Sequence, residues 1–296
     1  MMNFYNLLSP YYKLNKPGFF LFGHGIASNK IVNPFIQSLH MPMASFMAMV
    51  ELWEKMGFVF LSMEEASEIV LNSKKINHPW IHITFDDGFR NNFTAAYPYL
   101  KAKKIPFTIF LSTRNVIEHK RFDNYIIACA VQHTDNLARL KEISTLIGRN
   151  YDFADRSELG KDTIGFFKYL PVNEKLKFMD MISSCLSEAE WETLNEMYDS
   201  EDVLSPEEVS ILGRDPLVHL GSHGHNHYIL STLNEEQINK ELNESRMHIT
   251  SLTGKEPFTY CYPNGKKNDF PEGIDKLCKS NHYKLAFTTA KKKIPD

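Results

Sequence analysis

The chain has 296 residues, 43% of them hydrophobic, and a formal net charge of −3. That length and apolar content can bury a large core, as one barrel-sized domain or two smaller ones. The charge excludes the basic footprint of a nucleic-acid binder, and the Lys291-Lys292-Lys293 run near the end reads as a solvated tail. Cys129, Cys185, Cys261 and Cys278 are far apart and form no CxxC pair. Buried free thiols are therefore expected, in place of a disulfide framework or a structural zinc site. No apolar run approaches the ~18 residues of a membrane span. The first apolar segment, Phe19 to Phe22, is too short and too late for a signal peptide, so the chain reads as cytoplasmic.

In chain order, Gly18-Phe19-Phe20-Leu21-Phe22 predicts a buried strand ended by Gly23-His24-Gly25. Pro42 to Met56 has helical spacing, Gly57 stops it, and Phe58 to Leu61 predicts a strand. Ser62-Met63-Glu64-Glu65 is a capping box that opens the next helix. The run Trp80-Ile81-His82-Ile83 then leads into Thr84-Phe85-Asp86-Asp87-Gly88, followed by an amphipathic segment from Asn91 to Lys103. This reads as strand, tight turn, helix. Pro106 to Leu111 is a further strand. The alternation at short spacing argues for a parallel α/β architecture.

From about His119 to Asp202 the alternation stops and apolar residues recur only at helical spacing, which predicts a helical insertion outside the barrel. The alternation resumes with a capping box at Ser205-Pro206-Glu207-Glu208, a strand at Leu217 to Leu220, and a long helix from Thr232 to Leu252. A strand at Phe258 to Tyr262, closed by Pro263-Asn264-Gly265, a helix at Ile274 to Ser280 and a strand at Lys284 to Thr288 complete it. About seven strands suit a distorted barrel.

Two polar clusters close apolar runs: Asp86-Asp87, and His223-Gly224-His225-Asn226-His227 after Leu217 to Leu220. In parallel α/β folds, sites gather outside the carboxyl ends of strands. One carboxylate with two histidines four residues apart suits a three-ligand divalent-metal site with room for water. His223 and His227 would share a face if their segment turned helical, with His225 pointing elsewhere. One aspartate could bind the metal and the other stay free as a base.

These residues resemble motifs of the polysaccharide deacetylase family (carbohydrate esterase family four, the NodB-homology domain). Thr84-Phe85-Asp86-Asp87-Gly88 and His223-x-x-x-His227 are similar to its first two motifs, and Tyr262-Pro263-Asn264-Gly265 to its third. Ile105 to Leu111, Leu220-Gly221-Ser222 and Tyr283 to Thr289 match supporting segments. The resemblance implies one catalytic domain over residues 1–296, an α/β fold with a distorted parallel (β/α)7-like barrel and a helical insertion at about 119–202. It implies Asp86 as general base, Asp87, His223 and His227 as metal ligands, and the backbone N–H of Asn264 as an oxyanion donor. The implied cofactor is a divalent ion, zinc first, with cobalt, nickel, manganese or iron as alternatives. The implied partner is a carbohydrate bearing an acetamido group, and the implied reaction is hydrolysis of that amide.

Two positions depart from the family pattern. Cys261 stands where an arginine usually steadies the catalytic aspartate, and no Leu-x-His follows Thr289 to supply the general acid. Both departures resemble the permuted exopolysaccharide deacetylase branch, in which a histidine after the first strand is the acid; here that position is His24. The alternatives are a catalytically impaired glycan binder, an O-acetyl esterase or N-deformylase on the same scaffold, and a non-haem iron oxygenase with a two-histidine, one-carboxylate triad.

Overall fold

The apolar runs of the sequence become a 7-stranded sheet, with every paired strand parallel to its neighbour. The computed structural model describes residues 18–28, 32–72, 74 and 76–289, and the Lys291-Lys292-Lys293 run lies outside them. The elements begin with β1 (Gly18–Gly23), β2 (Gly25–Ala27), β3 (His40–Pro42), α1 (Met43–Lys55), β4 (Val59–Phe60) and α2 (Met63–Asn72). They continue with β5 (Trp80–Phe85), α3 (Tyr97–Ala102), β6 (Phe107–Leu111) and α4 (Thr113–Glu118). After the insertion come α10 (Pro206–Arg214), β7 (Val218–Ser222), α11 (Glu235–Thr253), β8 (Thr259–Cys261), α12 (Ile274–Ser280) and β9 (Leu285–Phe287).

The sheet runs β1-β5-β6-β7-β8-β9, and β4 pairs with the start of β5. All six residues of β5 and all five of β6 are buried, as expected for parallel strands covered on both faces. The sheet curls so that Phe20 of β1 meets Phe287 of β9, ring centroids 4.9 Å apart, and Phe110 packs on the same Phe287 ring. Side chains, not a ladder of hydrogen bonds, bring the two ends together. The result is a distorted, curled (β/α) barrel.

Helix starts follow their local chemistry. The Ser62 and Glu65 groups exchange bonds in a capping box, at 2.8 and 3.2 Å, and Ser205 with Glu208 does the same for α10. Asn234 and Gln237 open α11, which ends on Gly254 in the left-handed region.

The insertion contains α5 (Asp123–His133), α6 (Leu137–Ile147), α7 (Ser157–Lys168), α8 (Val172–Ser183) and α9 (Glu188–Met197), and no strand lies among its described residues. It has its own core of Ile127, Val131, Leu140, Ile143, Phe178 and Ile182, among others. Two local features differ from the sequence expectation. The segment after the Asp86-Asp87 turn opens as a π-helix over Asn92–Ala96, in which the Tyr97 N–H reaches the carbonyl of Asn92. Pro98 has no N–H to continue an α-type ladder, and the wider turn accommodates that loss. A small parallel pair, β2 with β3, also forms beside the first strand end.

The end of the insertion is tied back to the barrel. Leu204 N–H donates to the Gly88 carbonyl at 3.0 Å, Arg90 N–H donates to the Asp202 carbonyl at 2.8 Å, and Phe89 bridges Val203. Glu201, fully buried, accepts from the Asn33 N–H at 2.9 Å and the Ser200 hydroxyl at 3.0 Å. Burial pushes its carboxyl up from 4.5 to about 7, against those hydrogen bonds. A folded-state pKa above the unfolded value favours the folded state at low pH, and that benefit is lost as pH rises through about 7. Urea titrations from about pH 5 to about pH 8 are therefore expected to show falling stability, and Glu201→Gln to flatten the profile. An equal slope in the variant would assign the pH dependence elsewhere.

Candidate active site

The site assembles just beyond the ends of β1, β5, β7 and β8. Asp86 continues the ladder of β5 for one more bond, its N–H donating to the Gly23 carbonyl at 2.8 Å. The chain then turns through two consecutive left-handed residues, Asp87 at φ 76° and Gly88 at φ 85°. Aspartate tolerates that region and glycine enters it freely. Both carboxyl side chains are thereby swung into the barrel mouth, each only 5% exposed.

His223 follows β7, and its N–H donates to the Leu111 carbonyl at 2.8 Å. The loop 224–227 is not a helical turn, contrary to expectation. Gly224 at φ 82° and His227 at φ 58° fold it back instead. Glu241, buried in α11, accepts from the N–H groups of His225 and Asn226 at 3.0 and 2.8 Å. The first N–H groups of α4, on Thr113 and Arg114, donate to the carbonyls of Gly224 and His225. His225 points away, bonded through Nδ1 to Thr113 and stacked on His248 at 5.1 Å.

Asp87 Oδ1 lies 3.3 Å from His223 Nε2 and 3.2 Å from His227 Nε2. One ligand atom from each of the three residues lies within 4.8 Å of the others, which is the spacing of a cage for one ion. Three observations fit a divalent cation. Asp87 Oδ1 is buried and faces only the two imidazole nitrogens, and Asp86 Oδ1 is buried without a hydrogen-bond partner. His223 directs its other nitrogen, Nδ1, to the Cys261 carbonyl at 2.8 Å, which turns Nε2 toward the cage. The Phe122 ring meets His227 edge-on at 5.2 Å and limits its swing.

The charges are strongly coupled. Burial pushes the Asp87 carboxyl up, yet hydrogen bonding to His223 and His227 outweighs it and holds the group well below the carboxylate range. For His223, burial is outweighed by Asp87, Asp86 and the Cys261 carbonyl, and its pKa rises. His227 has only Asp87 to oppose burial, and its pKa falls.

The sequence matches the polysaccharide deacetylase family over residues 73–164 and 166–282. The chain belongs to the polysaccharide deacetylase family. YxkH of Bacillus subtilis (strain 168), which carries a polysaccharide deacetylase name, is 34% identical over 79 residues; these span 27% of this chain and 28% of that protein. Among solved structures, a de-N-acetylase from Aggregatibacter actinomycetemcomitans has a TM-score of 0.55 at 13% identity, over 94% of this chain and 91% of that one. IcaB from Ammonifex degensii has 0.53 at 15%, over 91% and 86%. The Streptococcus pyogenes deacetylase PplD, solved in complex with acetate, has 0.51 at 15%, over 91% and 82%. At these identities the likeness is one of fold.

In this polysaccharide deacetylase family member, the other two sequence-nominated residues lie just after β1 and at the turn after β8. His24 follows β1 directly, partly buried, and its charge acts on both Asp87 and His40. Asn264 sits at φ 62° and lines the same cavity as His227. Its side chain is committed elsewhere, donating to Asp269 at 2.6 Å and accepting from Lys168 at 3.3 Å. Cys261, in the arginine's usual place, is buried near the Asp86 carboxylate, whose charge acts on its thiol. Burial and the two aspartates push that thiol well up, so it stays neutral.

Glu241, Asp269 and Lys168 were not singled out from the sequence. Glu241 carried a readable signal, since it falls among Ile238, Leu242, Ser245 and Ile249 on the buried face of α11.

Metal binding is the direct test of the cage. His223→Ala and His227→Ala are expected to lose a stoichiometric divalent ion by atomic emission, while Asp86→Asn keeps it. Because His223 titrates above its usual value and must be neutral to ligate, affinity should weaken as pH falls. Retention of metal by both alanine variants would refute the ligand set.

Proposed function

We propose that the protein is a metal-dependent hydrolase that removes an N-acetyl group from an amino sugar of a glycan or glycan precursor. The observation that carries this reading is the convergence of Asp87, His223 and His227, with a second buried carboxylate, Asp86, presenting an unpartnered oxygen beside them. A divalent ion held by those three residues, zinc first, would supply Lewis-acid polarisation of an acyl carbonyl and would lower the pKa of its bound water toward about 7.

The chain's own groups divide the remaining work. Asp86 is the general base, and its backbone bond to Gly23 fixes its direction. The Asn264 side chain is occupied by Asp269 and Lys168, which leaves its backbone N–H as the oxyanion donor at the turn. Such a donor is worth roughly 2.7–4 kcal/mol of barrier. Amide cleavage must protonate the departing nitrogen, and His24 is the acid placed for it. The register supports this, because Gly23 pairs with Phe85 and so sets His24 alongside Asp86. An adjacent acid and base contribute roughly 10²–10⁴-fold each.

The test is acetate and formate release from a panel of acylated amino sugars, monomeric and polymeric, with zinc, cobalt or nickel added. Metal-dependent acetate release is expected, abolished by Asp86→Asn. His24→Ala is expected to keep the metal and lose amidase rate by about 10²-fold or more, with a smaller loss on an activated ester whose leaving group needs no proton. Equal losses on amide and ester would remove His24 from the acid role. Metal-dependent release of formate alone would move the assignment to an N-deformylase.

A further inference from the structure

The cavity beside His227 has a volume of about 70 Å³, with Pro263 and Asn264 on one side and the insertion on the other. Its lining includes Arg114, Lys120, Arg121, Lys168 and Lys175, against a single carboxylate, Asp123. We propose that the acylated sugar bound here carries an anionic group, a phosphate ester or carboxylate within about one ring of the amide, and that Lys168 binds it. The inference rests on the deacylase reading above and names the class of its substrate.

The five cations are unequally compensated. Arg114 and Lys120 share one carboxylate, Glu118, at 3.2 and 3.1 Å. Arg121 is spent on Tyr125 and Asn195 and lies 3.9 Å from the Asp202 carboxylate. Lys175 is 3% exposed and gives its protons to the carbonyls of Phe167 and Lys168, both at 2.7 Å, where it closes the end of α7. Lys168 donates to a neutral amide, Asn264 Oδ1. Among the described residues neither lysine forms an ion pair. Burial pulls Lys175 down to about 8 and lowers Lys168. Burial also pushes the one lining carboxyl, Asp123, up, which weakens its power to balance them.

Cations without counter-charge are costly where they are buried, as Lys175 is, and less so where they are partly buried, as Lys168 is. They are favourable when the counter-charge arrives with the ligand, because each charge-assisted bond then forms in a partly dry cavity. Lys168 is the cation nearest the chemistry. It touches Asn264, and its charge acts on both Asp87 and His227. An anion that meets Lys168 is therefore held close to the acyl group. A neutral sugar would leave that charge unpaired.

Calorimetry on the zinc-loaded protein tests this with N-acetylglucosamine, its 1-phosphate, its 6-phosphate and 2-acetamido-2-deoxyglucuronate. At least one anionic sugar is expected to bind about tenfold or more tighter than the neutral one, with the preference shrinking as salt is added. Lys168→Gln should collapse the preference toward one, and Lys168→Arg should restore most of it. The proposal is overturned by equal binding of neutral and anionic sugars. A preference untouched by Lys168→Gln also overturns it, since the anion is then held by the metal. An equal loss for all four sugars overturns it too, since Lys168 then only supports the Asn264 turn. Acyl release separates the two readings. Anion-selective, Lys168-dependent binding without release from any sugar would sink the deacylase reading alone. Release with no anion preference would sink this inference alone.

Discussion

The structure depends on keeping one carboxylate, Asp87, ionised inside the barrel mouth. Burial opposes its charge, and two imidazoles from one loop offset that cost. Neither partner position is a default state of the chain. Asp87 and His227 are both left-handed non-glycine residues, a conformation the surrounding contacts must hold in place. Those contacts come from far away: Glu241 of α11, the first N–H groups of α4, and the Leu204 and Arg90 bonds that close on either side of the Asp87 turn. The three candidate ligands are thus held by turns that the rest of the fold keeps in place.

The insertion is then more than an appendage. Its first helix is preceded by Phe122, which packs on His227 and on Phe89. Its third helix ends in Lys168 and Tyr169, which reach Asn264 and Asp269. Its last segment pairs with the loop that carries the aspartates. One added module thus braces the three loops that carry Asp86 and Asp87, His227 and Asn264.

What was legible in the sequence follows from how local its cause is. The strands before Asp86 and His223 are apolar because parallel strands are buried on both faces, and the switch to polar residues marks their ends. Capping boxes at Ser62, Ser205 and their partners are three-residue codes. The helical insertion betrayed itself by period. The β2 and β3 strands are three residues each, too short to show alternation. The approach of His223 to His227 was expected through a helical turn, but left-handed backbone at His227 has no local signature. Lys168 and Asn264 are 96 residues apart, and no spacing rule joins them. Lys175 offered a hint of the Glu241 kind, since it shares the buried face of α8 with Phe178 and Ile182.

Cys261 shows how a missing arginine need not mean a missing function. A guanidinium beside Asp86 would supply direction and positive charge together. Here the two are separated. Direction comes from the Gly23 carbonyl, which fixes the Asp86 backbone, while burial keeps the nearby Cys261 thiol neutral. The same residue's carbonyl meets His223 Nδ1, so one strand end lies beside Asp86 and aligns His223. Positive charge is supplied across the cavity, on the insertion, where Lys168 and Lys175 sit among groups that do not neutralise them. Moving the cation from the base to the opposite wall changes what it can act on. Next to Asp86 it would only stabilise a carboxylate, whereas on the insertion it lines the cavity beside His227.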